Sequence, residues 1–414
     1  MKKLLALAIA SIMLLGMMSF AVAEDTVLKV VTWDANTTAY LKAEKEAFEA
    51  SHPGITIEYV DVASQDYSIK TTTMLEGGDT SDVYMVKEIM NLYNWNEAGC
   101  AEPLNAYMEK DNYDVSGFVG MEANYAIDGQ QYALPFRSDF WVIFYNKDMF
   151  DAAGKAYPTN DMTWDEYADL AIAMSGDGKY GTHYHTWLSA VVNWDVCDGV
   201  NTLIDGNYDD LAYFYQLYQK LEDAGACMPY AELKASGLGY RAAFEAGNIA
   251  MMPMGYWTLA SLISEAADGV YTPFNWGIVA VPHLEGVPAG SSFGNLTGAM
   301  INSKSANKDA AWEYISWLAG EEGSIATAST GTRPAWVSEK VAVEMSSVEG
   351  FPADEASKAA LIPTYVAVEI PGSPVSSEIS NILNEEHTLI MTREYTIEEG
   401  IEEMNERVAE VLGK

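Results

Sequence analysis

The residues best suited to chemistry in this chain are short polar groups at the ends of apolar, strand-like runs. Residues 27–32 (V-L-K-V-V-T) lead into Trp33-Asp34, and residues 82–86 lead into Lys87-Glu88. Farther on, Leu134-Pro135 is followed by Arg137, Ser138 and Asp139, and then by the apolar run 140–145. A cation and an anion in that position either form a structural ion pair or face a ligand. Aromatic faces beside planar polar side chains suit a polyhydroxylated ligand: rings cover its C–H patches while carboxylates, amides and guanidiniums bind adjacent hydroxyls. The chain has 11 Trp and 25 Tyr, most of which must serve cores or ordinary surface. His183-Tyr184-His185 has the spacing of a metal pair, but no third ligand accompanies it, so an ordinary core or surface role is expected. No Walker-type phosphate loop or H-E-x-x-H motif is present, and 60 acids are too many for any pair to stand out as a glycosidase dyad.

Regular elements must bring these residues together. The run 27–32 is mostly apolar and β-branched, as expected of a strand buried on both faces. Thr37 or Thr38 can cap a helix in which Tyr40, Leu41, Ala43, Ala47 and Phe48 recur at helical spacing, stopped by His52-Pro53-Gly54. Residues 55–60 form a second strand. Strand, helix and strand with short links make a βαβ unit, hence a mainly parallel sheet whose ligands gather at the carboxyl ends of strands. A helix from Tyr67 to about Leu75 and a strand at 82–86 continue the pattern, placing Trp33, Asp34, Lys87 and Glu88 on one sheet edge. Asp128-Gly129 predicts a tight hairpin. Thr163 with Glu166, and Thr396 with Glu399, predict capping boxes. The short apolar strand 249–252 delivers Gly255-Tyr256-Trp257 at its carboxyl side.

A length of 414 residues exceeds one ordinary domain, so two lobes are expected, and 49% apolar residues can fill both cores. Lys2-Lys3, the apolar run 4–15 and Ala21-Val22-Ala23 have the order of an export signal cleaved after Ala23. No other stretch has 18 uninterrupted apolar residues. No cysteine follows the small residues, which excludes lipid attachment there and favours a soluble periplasmic or extracellular protein. Loss of Lys2 and Lys3 leaves 21 of the 23 basic residues against 60 acidic ones, a formal charge of −39. Such a field repels phosphate backbones and anionic lipid, so nucleic acid and membrane surfaces are disfavoured partners. Cys197 and Cys227 can bridge if they share a lobe; otherwise they and Cys100 are small buried hydrophobes.

In order along the chain, Gly129, Tyr132, Leu134, Pro135 and Tyr145-Asn146-Lys147-Asp148 resemble the G-x-x-Y-x-L/I-P and Y-N-K-D segments of the sugar-binding family of bacterial extracellular solute-binding proteins, family 1, which includes the maltodextrin-binding protein. Gly294-Asn295-Leu296-Thr297-Gly298 resembles that family's return strand, and Gly331-Thr332-Arg333-Pro334-Ala335 its G-x-x-P-A turn. The resemblance covers nearly all of the chain beyond residue 24 and is weakest from 337 to 395. It implies an α/β fold of the two-lobe, type II periplasmic-binding-protein kind, with a mainly parallel sheet flanked by helices in each lobe and a multi-crossing hinge. Lobe 1 is expected to hold residues 24–138 and 286–337, and lobe 2 residues 139–285 and 338–414.

The resemblance also suggests a site. Trp257, following the glycine, would lie under a sugar, and Trp33, Asp34, Lys87 and Glu88 hold contact positions. Asp139 stands where the family has a ligand-binding acid, unless Arg137 occupies it. Arg333 would either grip hydroxyls in bidentate fashion or brace the hinge turn. Asn295, Tyr67, Trp187 and Tyr256 are further candidates. After Ile370-Pro371 the family's aromatic is replaced by Ser373, Ser376, Ser377 and Glu378, which points to a smaller or different glycan than a long maltodextrin. The implied function is that of a monomeric ABC-importer component which captures a mono- or oligosaccharide and delivers it to the membrane permease, with no chemistry, metal or cofactor. The same fold holding a polyamine or other cation, near Asp34, Glu88 and Asp139, is one alternative. A secreted carbohydrate-active enzyme is a second, and a surface receptor or adhesin a third.

Overall fold

The computed structural model describes residues 26–413, so the expected export signal and its cleavage after Ala23 lie outside the described residues. The strands are β1 (Thr26–Trp33), β2 (Ile55–Val62), β3 (Val83–Val86), β4 (Ala126–Ile127), β5 (Gln130–Gln131), β6 (Ala133–Ser138), β7 (Trp141–Asn146), β8 (Tyr180–Thr182), β9 (Ile249–Gly255), β10 (Trp276–Ala280), β11 (Ser291–Gly294), β12 (Leu296–Ile301) and β13 (Tyr365–Val368).

The first βαβ unit forms as its sequence requires. β1 and β2 pair in parallel from Thr26↔Ile55 to Trp33↔Val62, joined by the helix Ala39–Ser51, which buries Tyr40, Leu41, Glu44 and Phe48. Its N-cap differs from expectation. The Thr38 hydroxyl donates to the Asp34 carbonyl at 2.8 Å rather than accepting from the first helical turn. Asp34 has φ +49°, and this local bond holds it in that left-handed bend.

Two sheets carry the two lobes. Lobe 1 has the order β2-β1-β3-β12-β6, and lobe 2 the order β10-β7-β9-β8. In each sheet one interior strand, β12 or β7, runs against the others. Strand direction is therefore mainly parallel, while the reversed strand makes both of its own pairings antiparallel. The expected hairpin joins β4 to β5 through Ile127↔Gln130, with Asp128 at φ +51° and Gly129 at φ +78°, as a type I′ turn demands. Both capping boxes form, at Thr163/Glu166 and Thr396/Glu399.

Each sheet seals its own core. Leu28, Val31, Met85, Phe136, Met300 and Ile315 belong to the first. Trp141, Trp164, Trp194, Phe244, Met252 and Leu383 belong to the second. Between them the chain passes three times: from Phe136 to Phe140, from Phe293 to Leu296, and from Ala335 to Met345. A two-stranded parallel ribbon of β11 and β13 lies at this junction, paired from Ser291↔Tyr365 to Gly294↔Val368. Cys100, Cys197 and Cys227 are all buried and free, so the 197–227 bridge is not formed. Among the described residues no helix is long and apolar enough to cross a membrane.

Candidate ligand-binding cleft

The three chain passages set a row of charged residues between the lobes. Arg137 and Asp139 form an ion pair, Nε to Oδ2 at 3.1 Å, with both side chains largely withdrawn from solvent. Arg137 Nη1 also donates to the Tyr40 hydroxyl at 3.1 Å, and its guanidinium lies over the rings of Tyr40 (5.1 Å) and Trp33 (5.8 Å). Arg333 donates to Ser138 Oγ at 2.9 Å and lies 4.9 Å over the Phe140 ring, whose other neighbour is the stacked ring of Tyr256 at 5.6 Å. Burial raises the Asp139 carboxyl, and the guanidiniums of Arg137 and Arg333 oppose that shift. One carboxylate oxygen, Oδ1, is buried without a hydrogen-bond partner.

Lobe 1 supplies the wall at the carboxyl ends of β1 and β3. Trp33 stands edge-on to Tyr67, with ring centroids 5.1 Å apart. Lys87 reaches across to Ser64, donating to its carbonyl and hydroxyl at 2.8 Å each, with its ammonium 5.7 Å over the Trp33 ring. Burial lowers the Lys87 ammonium, offset by Glu88 and Asp34. Asp34 Oδ1 accepts from the Ser64 backbone at 3.1 Å, and Glu88 Oε2 from Ser68 Oγ at 3.4 Å.

Lobe 2 supplies an aromatic wall. Trp257 follows β9 and packs edge-on against Trp141 at 5.9 Å. Gly255 is required beneath it: a Cβ there would stand 2.0 Å from the Trp257 ring. Trp187 lies 6.3 Å from Trp257, 5.5 Å from Tyr240 and 4.5 Å from the His185 ring, and 39% of it is exposed. Burial pushes the His185 imidazole down to about 4 and that of His183 to about 3, so both are neutral near pH 7. Glu369 follows β13 on the same side. Burial pushes its carboxyl up to about 7; a hydrogen bond from Ser189 opposes this, and the like charge of Glu88 across the cleft adds to it.

Of the residues singled out from sequence, Trp33 and Lys87 meet each other, and Trp33 meets Arg137 and so the Arg137–Asp139 pair. Asp34 and Lys87 share Ser64, Glu88 is tied to Ser68, Arg333 to Ser138, and Trp187 stands beside Trp257. Asn295 is half-buried beside it, its carbonyl accepting the Asp139 N–H at 2.9 Å. Two are corrected. Tyr67 is fully buried, its hydroxyl donating to the carbonyls of Val31 (3.0 Å) and Met85 (2.7 Å), so it braces Trp33 from behind. Tyr256 is also fully buried and backs Phe140, with its hydroxyl toward the Met345 sulfur at 3.7 Å. Both lie one layer behind a surface residue, which a position count cannot distinguish from the surface itself. Sequence reasoning did not place Tyr40, His185, Tyr240 or Glu369 in the cleft; only for His185 was there a signal, its spacing from His183.

Two features of the chain could suggest an enzyme. Gly290-Ser291-Ser292-Phe293-Gly294 spells G-x-S-x-G, the pattern of a serine nucleophile, but Ser292 lies within β11. Its buried hydroxyl donates to the Trp141 carbonyl at 2.8 Å and accepts the Trp141 N–H at 3.1 Å, so it is a hinge fastener. The second is the His183/His185 pair, yet among the described residues no three of His, Cys, Asp and Glu gather to hold a metal ion. Two cavities, about 390 and 280 Å³, lie off the cleft, one around the Lys147–Asp354 pair of lobe 2 and one behind the hinge at Trp141 and Ser292. The polar groups of the first are already paired with one another, as in Lys147–Asp354 (2.6 Å) and Tyr157–Asp151 (2.7 Å).

Two α/β lobes, a three-passage hinge and a cleft walled by indoles and fixed charges define a two-lobed solute-binding protein. The sequence profile of the bacterial extracellular solute-binding protein family matches residues 34–325, and the chain belongs to that family. It is 24% identical over 300 residues to the lactose-binding protein of Rhizobium radiobacter, covering 68% of each chain. Among solved structures, a sugar transporter from Rhizobium etli in an open conformation matches with a TM-score of 0.80 and 40% identity, over 92% of this chain and 99% of that one. An ABC substrate-binding protein of Listeria monocytogenes in complex with cycloalternan matches with a TM-score of 0.78 over 94% and 99% of the chains; its 21% identity speaks to the fold alone.

Proposed function

We propose that the protein binds a carbohydrate between its lobes and hands it to the permease of an ABC importer, itself performing no reaction. The observation that carries this reading is the set of indoles at strand ends beside fixed polar groups: Trp33 under the Lys87 and Arg137 cations, with Arg137 paired to Asp139, and Trp257 beside Trp187. Rings beside planar polar groups suit the C–H faces and hydroxyls of a sugar. In this reading the lobes comprise residues 24–138 with 295–337 and 139–294 with 338–414, the second boundary falling later than the 285/286 expected from sequence because Phe293 belongs to the lobe 2 core. The contacts come from Trp33, Asp34, Lys87, Glu88, Asp139, Trp187, Trp257, Asn295 and Arg333, joined by Tyr240, His185 and Glu369. The protein acts as an exported monomer, its signal removed after Ala23.

Thermal unfolding against a panel of mono- and oligosaccharides, with polyamines as controls, tests this. A ligand at 100 times its Kd stabilises the protein by about 2.7 kcal/mol, a rise of several degrees at about 2 °C per kcal/mol. The expected outcome is a shift with one class of sugar that is lost in Trp257→Ala. A shift with polyamines only would keep the fold and overturn the ligand.

A further inference from the structure

We infer that one side of the cleft is sealed by the protein itself, so that the ligand is held by the end of its chain; this rests on the carbohydrate reading above. The seal is a direct meeting of the two lobes. The helix Ile89–Glu97, packed on the lobe 1 core, faces the segment 372–377 that opens the lobe 2 helix Ser376–Met391. At Gly372 the fit is so close that a Cβ would stand 2.4 Å from Cε2 of Tyr93 and 2.6 Å from Cγ2 of Ile89. One residue past Tyr93, Asn94 Nδ2 donates to Ser377 Oγ at 3.1 Å, joining lobe to lobe. No sugar ring passes between surfaces in van der Waals contact.

The residues immediately inside the seal are suited to a chain terminus. Glu88 directly precedes the lobe 1 helix, and Glu369 stands three residues before Gly372. The charge of Glu88 acts on the Glu369 carboxyl, so the two groups are neighbours beside the contact. The Glu88 carboxylate accepts from Ser68 (3.4 Å), the Glu369 carboxyl is hydrogen-bonded by Ser189, and the Glu369 backbone carbonyl accepts from Asn193 Nδ2 (2.9 Å). Carboxyl oxygens on both walls suit the adjacent hydroxyls of a ring. An internal residue of a glycan would carry its next sugar into the seal. Only a terminal residue, or a monosaccharide, presents free hydroxyls there. Tyr93 and Gly372 therefore act as specificity-determining residues without belonging to the ring-stacking surfaces.

The test begins with whichever linear glycan of the glucose, galactose or xylose series binds best by isothermal titration. That glycan is compared with versions carrying a benzamide tag at the reducing end or a benzyl group at the non-reducing end, and with cyclic glucans. The expected result is that a tag at one end abolishes binding while a tag at the other changes it by less than about threefold, and that cyclic glucans give no heat. Tyr93→Ala should restore binding of the blocked form. Retention of binding with a tag at either end, or a cyclic glucan bound as tightly as its linear counterpart, overturns the inference. If no glycan binds at all, the carbohydrate reading fails, and with it the end-on ligand. The seal is checked separately by small-angle scattering of the ligand-free protein: Gly372→Val should enlarge the radius of gyration by wedging the lobes apart, and an unchanged radius overturns the seal whatever the ligand.

Discussion

Asp139 and Glu369 are both acids at the lobe junction, yet their surroundings give them different parts. Asp139 lies near two guanidiniums; burial raises its carboxyl, and Arg137, paired to it at 3.1 Å, and Arg333 oppose that shift. Glu369 has no such cation; burial, with Glu88 opposite, holds its carboxyl near 7. A carboxyl whose folded-state value is raised contributes stability that is fully present below the ordinary value of about 4.3 and is lost as pH rises through about 7. Glu369→Gln removes that loss. The variant should match the wild type near pH 4.5 and exceed it by about 1–3 kcal/mol at pH 8, read as a widening difference in Tm. A difference that stays constant with pH would mean that Glu369 is ionised and paired in the folded protein. His183 and His185 have the opposite sign: held neutral by burial, they cost stability as pH falls from about 6.5 toward 4, and the Glu369 comparison cancels them because both proteins share them.

Among elements, the ends of strands decide the site, and glycines decide how closely those ends approach. β9 ends in Gly255, on whose Cα the Trp257 ring rests. Gly255→Ala should tilt that ring, reducing ligand-induced stabilisation at a cost of about 1–2 kcal/mol to the ligand-free protein. The full thermal shift with ligand in this variant would show that Trp257 does not stack on the ligand. β11 ends in Gly294, where a Cβ would stand 1.7 Å from the Asp139 carbonyl oxygen. Backbone rather than a movable side chain is in the way, so Gly294→Ala should destabilise by about 3 kcal/mol or more in urea unfolding, with a lowered midpoint. The same fragment explains Ser292: its two bonds to Trp141 tie β11 to β7 where the chain changes lobes. A pattern match to a nucleophile motif means little inside a strand, because the motif's chemistry needs a sharp turn that exposes the hydroxyl.

For the molecule as a whole, charge and closure are the properties to measure. The chain is strongly acidic, with a formal charge of −37. A cationic ligand would therefore bind far more weakly in 0.5 M than in 0.05 M salt, whereas a neutral sugar should change by less than about twofold. Titration at both concentrations separates these ligand classes, and a tenfold or greater loss for the best ligand would overturn the sugar reading. The lobes are joined by three passages and a two-stranded ribbon, each lobe keeping its own core. Much of this architecture was legible beforehand. Apolar runs bounded by turns, two capping boxes and the Asp128-Gly129 hairpin are local signals, each depending on residues a few positions apart.

What the sequence determined by itself is therefore the class of fold, the strand ends that carry Trp33, Asp34, Lys87, Glu88 and Trp257, and the strongly acidic character of the chain. The strand ends and the acidic character follow from backbone preference, periodicity and composition, which act locally or as sums, whereas the two-lobe class of fold came from the resemblance of the Gly129–Pro135, Tyr145–Asp148 and Gly331–Ala335 segments to a known family. What only the tertiary structure decided is depth and partnership. Tyr67 and Tyr256 lie behind the cleft wall instead of on it, Asp139 is paired with Arg137 yet keeps one free oxygen, and Glu369 and Gly372 meet Glu88 and Tyr93 from nearly 300 positions away. Exposure and pairing depend on which surfaces the hinge brings together, and contacts between residues so far apart leave no periodic trace in the chain.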